Sequence, residues 1–380
     1  MRERIKRGVL VWTLGMVLLL TEGCGARRRA APLGVTPIYE EPQGQRVPSA
    51  VESRRPGPAV IVPPSTGVSA PVLVPAPKPE AMGIVTNTPV RSVWTSVGTW
   101  AVTNELKLEP MRILQGEYVW STPHGLMSFR PGSIVGRWEG ASFWLSTPPR
   151  LTARGDLELQ SLDLAKLCRP LLEASFGVKL GKRVVVVDAG HGGRSSGTRS
   201  VVDGRLEKDF ALDWGLRLSK LLRAKGWEVV MTRTNDVDVA LEERIALANT
   251  VGAGVFVSLH FNAETTHTQS GLETYCLTPV GMASHLQRDQ SDRPDVECIN
   301  NRFDDDNTRL GMRVHHALIK GTGAADRGLR RARYPAVLRN QNCPAVLVEG
   351  GYLSHRTEAV LISKPEYRQR LAEALARVFE

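Results

Sequence analysis

Val184-Val-Val-Val-Asp188-Ala-Gly-His191-Gly-Gly193 opens the C-terminal half of the chain. Four β-branched residues in an unbroken apolar run read as a strand buried on both faces, because a half-exposed strand alternates with period two. Outward from this segment strand and helix patterns take turns. Phe210, Trp214, Leu218, Leu221 and Leu222 recur at helical spacing, and Gly226 offers a C-cap. Residues 228–231 read as the next strand, 241–249 as a helix and 254–259 as another strand. Residues 345–348 are strand-like, and 366–379 form a terminal helix. This alternation predicts an α/β domain over 182–380, with a central, mainly parallel sheet flanked by helices. Ligands of such folds gather at the carboxyl ends of the strands.

Three of the predicted strands end in reactive side chains. Residues 184–187 lead to Asp188 and His191, 254–259 to His260-Phe-Asn262, and 345–348 to Glu349-Gly-Gly-Tyr-Leu-Ser354. A further acidic residue, Glu207, opens the first helix in Glu207-Lys-Asp209. His191, Glu207 and His260 make a two-histidine, one-carboxylate set, the donor count of a catalytic zinc that keeps one position for water. Glu349 suits a general base that later acts as acid. Asp188 suits a partner that orients a ligand. Any one histidine after a strand is ordinarily a packed or exposed residue. It is the combination that points to metal chemistry. His124, His267, His285, His315, His316 and His355 lack such company. Arg233, Arg244 and Arg327 read as structural ion-pair residues.

The segments Val-Asp-Ala-Gly-His-Gly-Gly, Glu207-Lys-Asp, Thr232-Arg-Thr-Asn-Asp236, Leu241-Glu-Glu-Arg244 with Ala248-Asn249, Ser258-Leu-His-Phe-Asn-Ala263, Gly271-Leu-Glu-Thr-Tyr275, Asp326-Arg-Gly328 and Val348-Glu-Gly-Gly-Tyr-Leu-Ser occur in this order across nearly all of 182–380. Together they resemble the zinc-dependent N-acetylmuramoyl-L-alanine amidase family (type 3 catalytic domain). The resemblance implies an α/β fold, one Zn2+, and hydrolysis of the amide between N-acetylmuramic acid and L-alanine in peptidoglycan. It implies His191, Glu207 and His260 as ligands and Glu349 as the catalytic acid/base. Asn262 and Tyr275 read separately as substrate contacts. Ala189 stands where the family has Pro, and Arg194-Ser-Ser196 where an Asp and often Pro are expected. Neither change touches a ligand. Residues 286–307, with Asp304-Asp-Asp306, depart from the family; they fit a substrate loop or a lid over the zinc, and fit a solvated surface loop better.

The rest of the chain reads as delivery apparatus. Arg2, Arg4, Lys6 and Arg7 precede an apolar run, and Gly23 precedes Cys24. Residues 1–24 therefore have the layout of a signal peptide, too short in its apolar core to span a bilayer comfortably. Cys24 holds the place of the lipidated cysteine of a bacterial lipoprotein. A plain secretory signal or an uncleaved anchor fits the same run. Residues 25–91 contain 13 of the 24 prolines and read as an extended linker. Residues 92–178 hold five of the eight tryptophans between Pro and Gly turns. They read as a small β-rich module with a short amphipathic stretch at 162–172, faintly similar to the stalk module of the amine-oxidase N-terminal type. Its tryptophans fit either a sugar-binding face or a core.

The net charge of +10 favours anionic partners. Basic residues are dispersed and no nucleic-acid-binding signature occurs, so peptidoglycan and a membrane are the expected partners and nucleic acid is not. A protein activator is left open. Cys168, Cys276, Cys298 and Cys343 fit either disulfides of an exported protein or buried thiols. Two other functions compete: the same metal chemistry on a peptide bond of the wall, and a silent wall-binding lipoprotein. Retention of all four chemical positions argues against the second.

Overall fold

A computed structural model of the chain describes residues 92–106, 109, 111–173, 182–286 and 292–380. The expected signal with Cys24, the linker to residue 91, and residues 174–178 lie outside them. Among the described residues the strands of the first half are β1 (Trp94–Ser96), β2 (Arg112–Leu114), β3 (Glu117–Thr122), β4 (Gly125–Phe129), β5 (Val135–Trp138), β6 (Ala141–Trp144), β7 (Arg150–Leu151) and β8 (Leu157–Gln160). Those of the second half are β9 (Val184–Ala189), β10 (Glu228–Met231), β11 (Val255–Asn262), β12 (Leu272–Leu277), β13 (Asp326–Ala332) and β14 (Ala345–Tyr352). β1, β8 and β7 make a small antiparallel sheet. The other strands form one 11-stranded sheet in the order β10-β9-β11-β14-β12-β13-β6-β5-β4-β3-β2.

The large sheet is mixed: among the strands of 182–380 four pairings are parallel and one antiparallel, and an antiparallel meander from the first half extends it. β10, β9, β11 and β14 run parallel, as do β12, β13 and β6. β12 opposes β14, and β2 to β6 form an antiparallel meander. The meander's direction follows from its connections. Two-residue turns at Gln115-Gly116 and Glu139-Gly140, both with positive φ, can join only antiparallel neighbours.

The valine run behaves as expected of a doubly covered strand, since every residue of β9 is buried. Val185 and Val187 face one cluster, with Phe210, Trp214, Leu218 and Leu222 of the helix Glu207–Ala224 and with the helix Pro365–Ala376. Val186 faces the opposite cluster, with Phe256, Ala345 and Leu347. Each large apolar side chain so buried contributes about 1.5–3 kcal/mol. This rigid sheet fixes where the ends of β9, β11 and β14 meet.

Residues 299–322 correct one expectation. In place of a solvated loop, a 3-10 turn (Ile299–Phe303) leads into the 19-residue helix Asp304–Thr322. Its polar start is buried and bonded. Asp304 pairs with Lys166 at 3.1 Å, and Asn307 accepts a bond from the Ala345 amide at 2.8 Å. Residues 287–291 of the same expected loop lie outside the described residues. The cysteines Cys168, Cys276, Cys298 and Cys343 are all free thiols. Trp120 and Trp138 are buried in the meander's core. That core also takes in Cys276, Met312 and Leu329 from the second half of the chain.

Candidate metal centre and the carboxylate beside it

His191 follows β9, Glu207 begins the helix Glu207–Ala224, and His260 lies near the end of β11. Because β9 and β11 are parallel neighbours, their carboxyl ends arrive at the same edge. The ligand-type atoms of His191, Glu207 and His260 all lie within 4.8 Å of one another. The Nε2 of His191 is 3.2 Å from Glu207 Oε2, and the Nδ1 of His260 is 2.9 Å from Glu207 Oε1.

The carboxylate between the two imidazoles is fully buried. Its oxygens also accept the backbone N–H of Thr198 and of Phe261, each at 3.0 Å. Burial opposes the Glu207 charge, but the adjacent His191 and bonds from both histidines outweigh it and hold the carboxyl below its ordinary range. Burial pushes the His260 imidazole towards its neutral form, opposed by Glu207. A neutral imidazole is the form that binds metal.

These residues fit a zinc ion. The donor set is two imidazoles and one carboxylate. The second ring nitrogen of His191 meets the Ser195 hydroxyl at 2.9 Å, so the ring is held from behind, as metal-binding histidines are. The space is also shaped for these side chains. A Cβ on Gly197, which has φ +65°, would stand 2.5 Å from Glu207 Oε2 and 2.7 Å from the His191 ring. Only glycine allows the chain to pass there.

Two arginines hold the turn that carries His191. Arg233 donates to the carbonyls of Ala189 at 2.9 Å and Gly190 at 2.8 Å, and Arg244 to that of His191 at 2.8 Å. Arg244 also pairs with Asp188 at 2.5 Å, and Asp188 accepts the hydroxyls of Thr232 and Ser258. Burial raises the Asp188 carboxyl, yet Arg244 and these hydroxyls bring it below the usual carboxylate range. Asp188 thus bears on the turn through Arg244, with its oxygens taken up by Arg244, Thr232 and Ser258.

Glu349 is buried in β14. In register it pairs with His260 on β11 and with Glu273 on β12. The predicted contacts Asn262 and Tyr275 are buried too, and both bond Glu273, at 3.1 and 2.6 Å. Neither presents its polar end to open solvent. Glu273 itself, a buried acid in Gly271-Leu-Glu-Thr-Tyr275, escaped the sequence reading. The signal was an acidic residue between apolar and aromatic neighbours in a strand-like segment. Over His191 and His260 opens a cleft of ≈ 620 Å³, walled by Arg194, Asp238, Leu241 and Val337.

The family described as N-acetylmuramoyl-L-alanine amidase matches residues 185–379. The chain is 28% identical over 191 residues to the N-acetylmuramoyl-L-alanine amidase LytC of Bacillus subtilis, covering 50% of this chain and 34% of that protein. It is 30% identical to the N-acetylmuramoyl-L-alanine amidase AmiC of Neisseria meningitidis serogroup B, covering 59% of this chain and 57% of that one. The match thus spans less than two thirds of either relative. A solved N-acetylmuramoyl-L-alanine amidase from Clostridium difficile 630 is 31% identical with a TM-score of 0.44, covering 52% of this chain and 95% of that chain.

Proposed function

We propose, because the chain belongs to the N-acetylmuramoyl-L-alanine amidase family, that it is a zinc hydrolase of peptidoglycan that cuts the amide between N-acetylmuramic acid and L-alanine. The observation that carries this reading is the convergence of His191, Glu207 and His260 within 4.8 Å, with Glu349 next to His260 in register. Zinc, when bound by the three side chains, supplies Lewis acidity towards a carbonyl and acidifies a water.

The chain's own residues supply the rest. Ser195 and the amides of Thr198 and Phe261 hold the ligand side chains in place. The cleft over His191 and His260 receives the muramyl peptide, with the scissile carbonyl over the histidines. The Glu349 carboxylate takes a proton from the attacking water and gives one to the departing nitrogen of L-alanine. The C–N bond breaks, the water oxygen stays on the lactyl carbon, and the peptide leaves with a free amine. Asn262 and Tyr275 serve by bonding Glu273 beside Glu349 rather than by gripping the sugar.

The working place of such an enzyme is the cell envelope. Residues 1–24 direct export, Cys24 carries a lipid, and 25–91 give the catalytic part its reach to the wall. Among the described residues no helix is long and apolar enough to cross a membrane.

The test incubates the purified full chain with intact sacculi and identifies soluble products by mass spectrometry. Stem peptides beginning with a free L-alanine amine, lost on chelation and restored by zinc, are expected. Fragments cut inside the peptide would make the protein a wall peptidase. Bound but uncut sacculi would leave a wall-binding protein.

A further inference from the structure

The meander and the candidate catalytic centre meet at one seam. β6 lies beside β13, with Phe143 opposite Leu329. The Ser142 amide donates to Asp326 at 2.8 Å, and the indole N–H of Trp144 donates to the Arg327 carbonyl at 2.9 Å. The Arg330 guanidinium lies 4.0 Å from the centroid of the Trp144 ring, a cation–π distance. Gly328, at φ +89°, makes room for this approach. A Cβ there would stand 2.9 Å from the Trp144 ring and 3.2 Å from the Ser142 carbonyl oxygen. The glycine of the Asp326-Arg-Gly328 motif therefore accommodates a tryptophan from the other half of the chain.

The two arginines that Trp144 touches converge on one buried acid. Leu272 pairs with Asp326 and Thr274 with Leu329, so β13 carries an extra residue opposite Glu273. Such a bulge re-aims side chains. Arg327 Nε reaches Glu273 Oε1 at 2.5 Å, and Arg330 comes within 3.4 Å of the same oxygen. The Tyr352 hydroxyl donates to it at 3.0 Å, while Tyr275 and Asn262 hold the other oxygen. Glu273 is 1% exposed and stands directly opposite Glu349 on the antiparallel pair β12–β14. Residues opposed in this way share a face, with Cβ atoms about 4.5–5.5 Å apart.

We propose that Trp144 is a positioning residue for the catalytic carboxylate: by seating Arg327 and Arg330 it fixes Glu273 directly across from Glu349. The inference rests on Glu349 being the proton carrier. A carboxylate held this near sets the direction in which Glu349 points, and an error of about 1 Å at a reacting group costs about 100-fold in rate. The antiparallel meander is thereby part of the catalytic apparatus and not only a spacer.

The test uses the full chain and a soluble muramyl peptide, with kcat, KM, zinc content and melting temperature measured together. Trp144→Phe keeps an aromatic ring and loses the N–H donor. Its kcat is expected to fall about 5- to 20-fold, with KM within about twofold and zinc content unchanged, as for loss of an interaction made only in the transition state. Glu273→Gln is expected to fall further, and the double variant to be no worse than Glu273→Gln alone, because both changes act on one relay. Tyr352→Phe removes only a hydroxyl bonded to Glu273 and gives the same kcat-only loss should Glu273→Gln fail to fold. Trp94→Phe, in the small sheet, is expected to match the wild type. A folded Trp144→Phe with wild-type kcat overturns the proposal, as do multiplicative effects in the double variant or an unchanged Tyr352→Phe. An inactive, zinc-loaded wild type contradicts the amidase reading itself, and the inference with it.

Discussion

At the scale of single residues, roles divide between side chains that meet metal or substrate and those that hold them. On the proposed reading Glu349 belongs to the first group, so Glu349→Gln should keep its zinc and lose about 10²–10⁴-fold in kcat. Gly197 belongs to the second. In Gly197→Ala the new methyl would stand 2.5 Å from Glu207 Oε2. Zinc affinity is expected to drop about 10- to 100-fold, the range for disturbed ligand support. Metal analysis after dialysis separates the two: zinc retained without activity in the first, zinc lost in the second. Retention of zinc by Gly197→Ala would contradict the close fit at that turn. The four chemical residues were legible because each ends or begins a strongly patterned element. Glu273 was not, because its chemistry depends on Arg327 and Arg330, which reach it only through the bulge in β13.

At the scale of elements, strands with long apolar runs announced themselves. β12 and β13 did not, since Glu273 interrupts the first and Arg327, Arg330 and Arg331 break the apolar pattern of the second. Their charges cancel inside the fold: Arg327 with Glu273, and Arg331 with Asp163 at 3.8 Å. The helix Asp304–Thr322 was hidden for the same reason. Its start is a run of acids and asparagines that bond one another, Lys166 and the Ala345 amide. No periodicity shows which polar residues will find buried partners.

One such partner sets an acid limb of stability. His285 donates from Nε2 to the Leu145 carbonyl at 3.1 Å and accepts the Arg331 amide on Nδ1 at 3.0 Å, joining the meander to β13. Both ring nitrogens are used by the neutral form, and a proton on Nδ1 would break the second bond. Burial, reinforced by the charges of Arg331 and Arg330, pushes the imidazole pKa down to about 3. The folded value lies below the unfolded one of about 6.5, so unfolded chains take up the proton first. The stabilisation is complete above about pH 6.5 and is lost as pH falls towards 3. From pH 6.5 to 4 the loss is about 3 kcal/mol. His285→Gln, which can still donate and accept, should flatten that part of a urea-midpoint profile. An unchanged slope would remove His285 as its source.

At the scale of the whole molecule, the sheet runs through what the sequence suggests are two units. Composition separates the tryptophan-rich segment from 182–380 well enough, but pairing of β6 with β13 is a long-range event that no local pattern marks. The core beneath the meander includes Met312 and Leu329. A fragment starting at 182 would bare them, so the full chain is the proper material for every assay. The N-terminal layout makes its own prediction: in cells, Cys24→Ala should move the protein from the membrane fraction to the soluble envelope fraction. Membrane association unchanged by that substitution would assign the anchor to the apolar run instead.

The reaction itself is tested most directly by hydrolysis of a muramyl peptide in water enriched in 18O. One heavy oxygen in the lactyl carboxylate, with an unlabelled peptide bearing a free L-alanine amine, is the predicted result. Label in a carboxylate of the peptide, with the muramic acid still attached to its alanine, would contradict it.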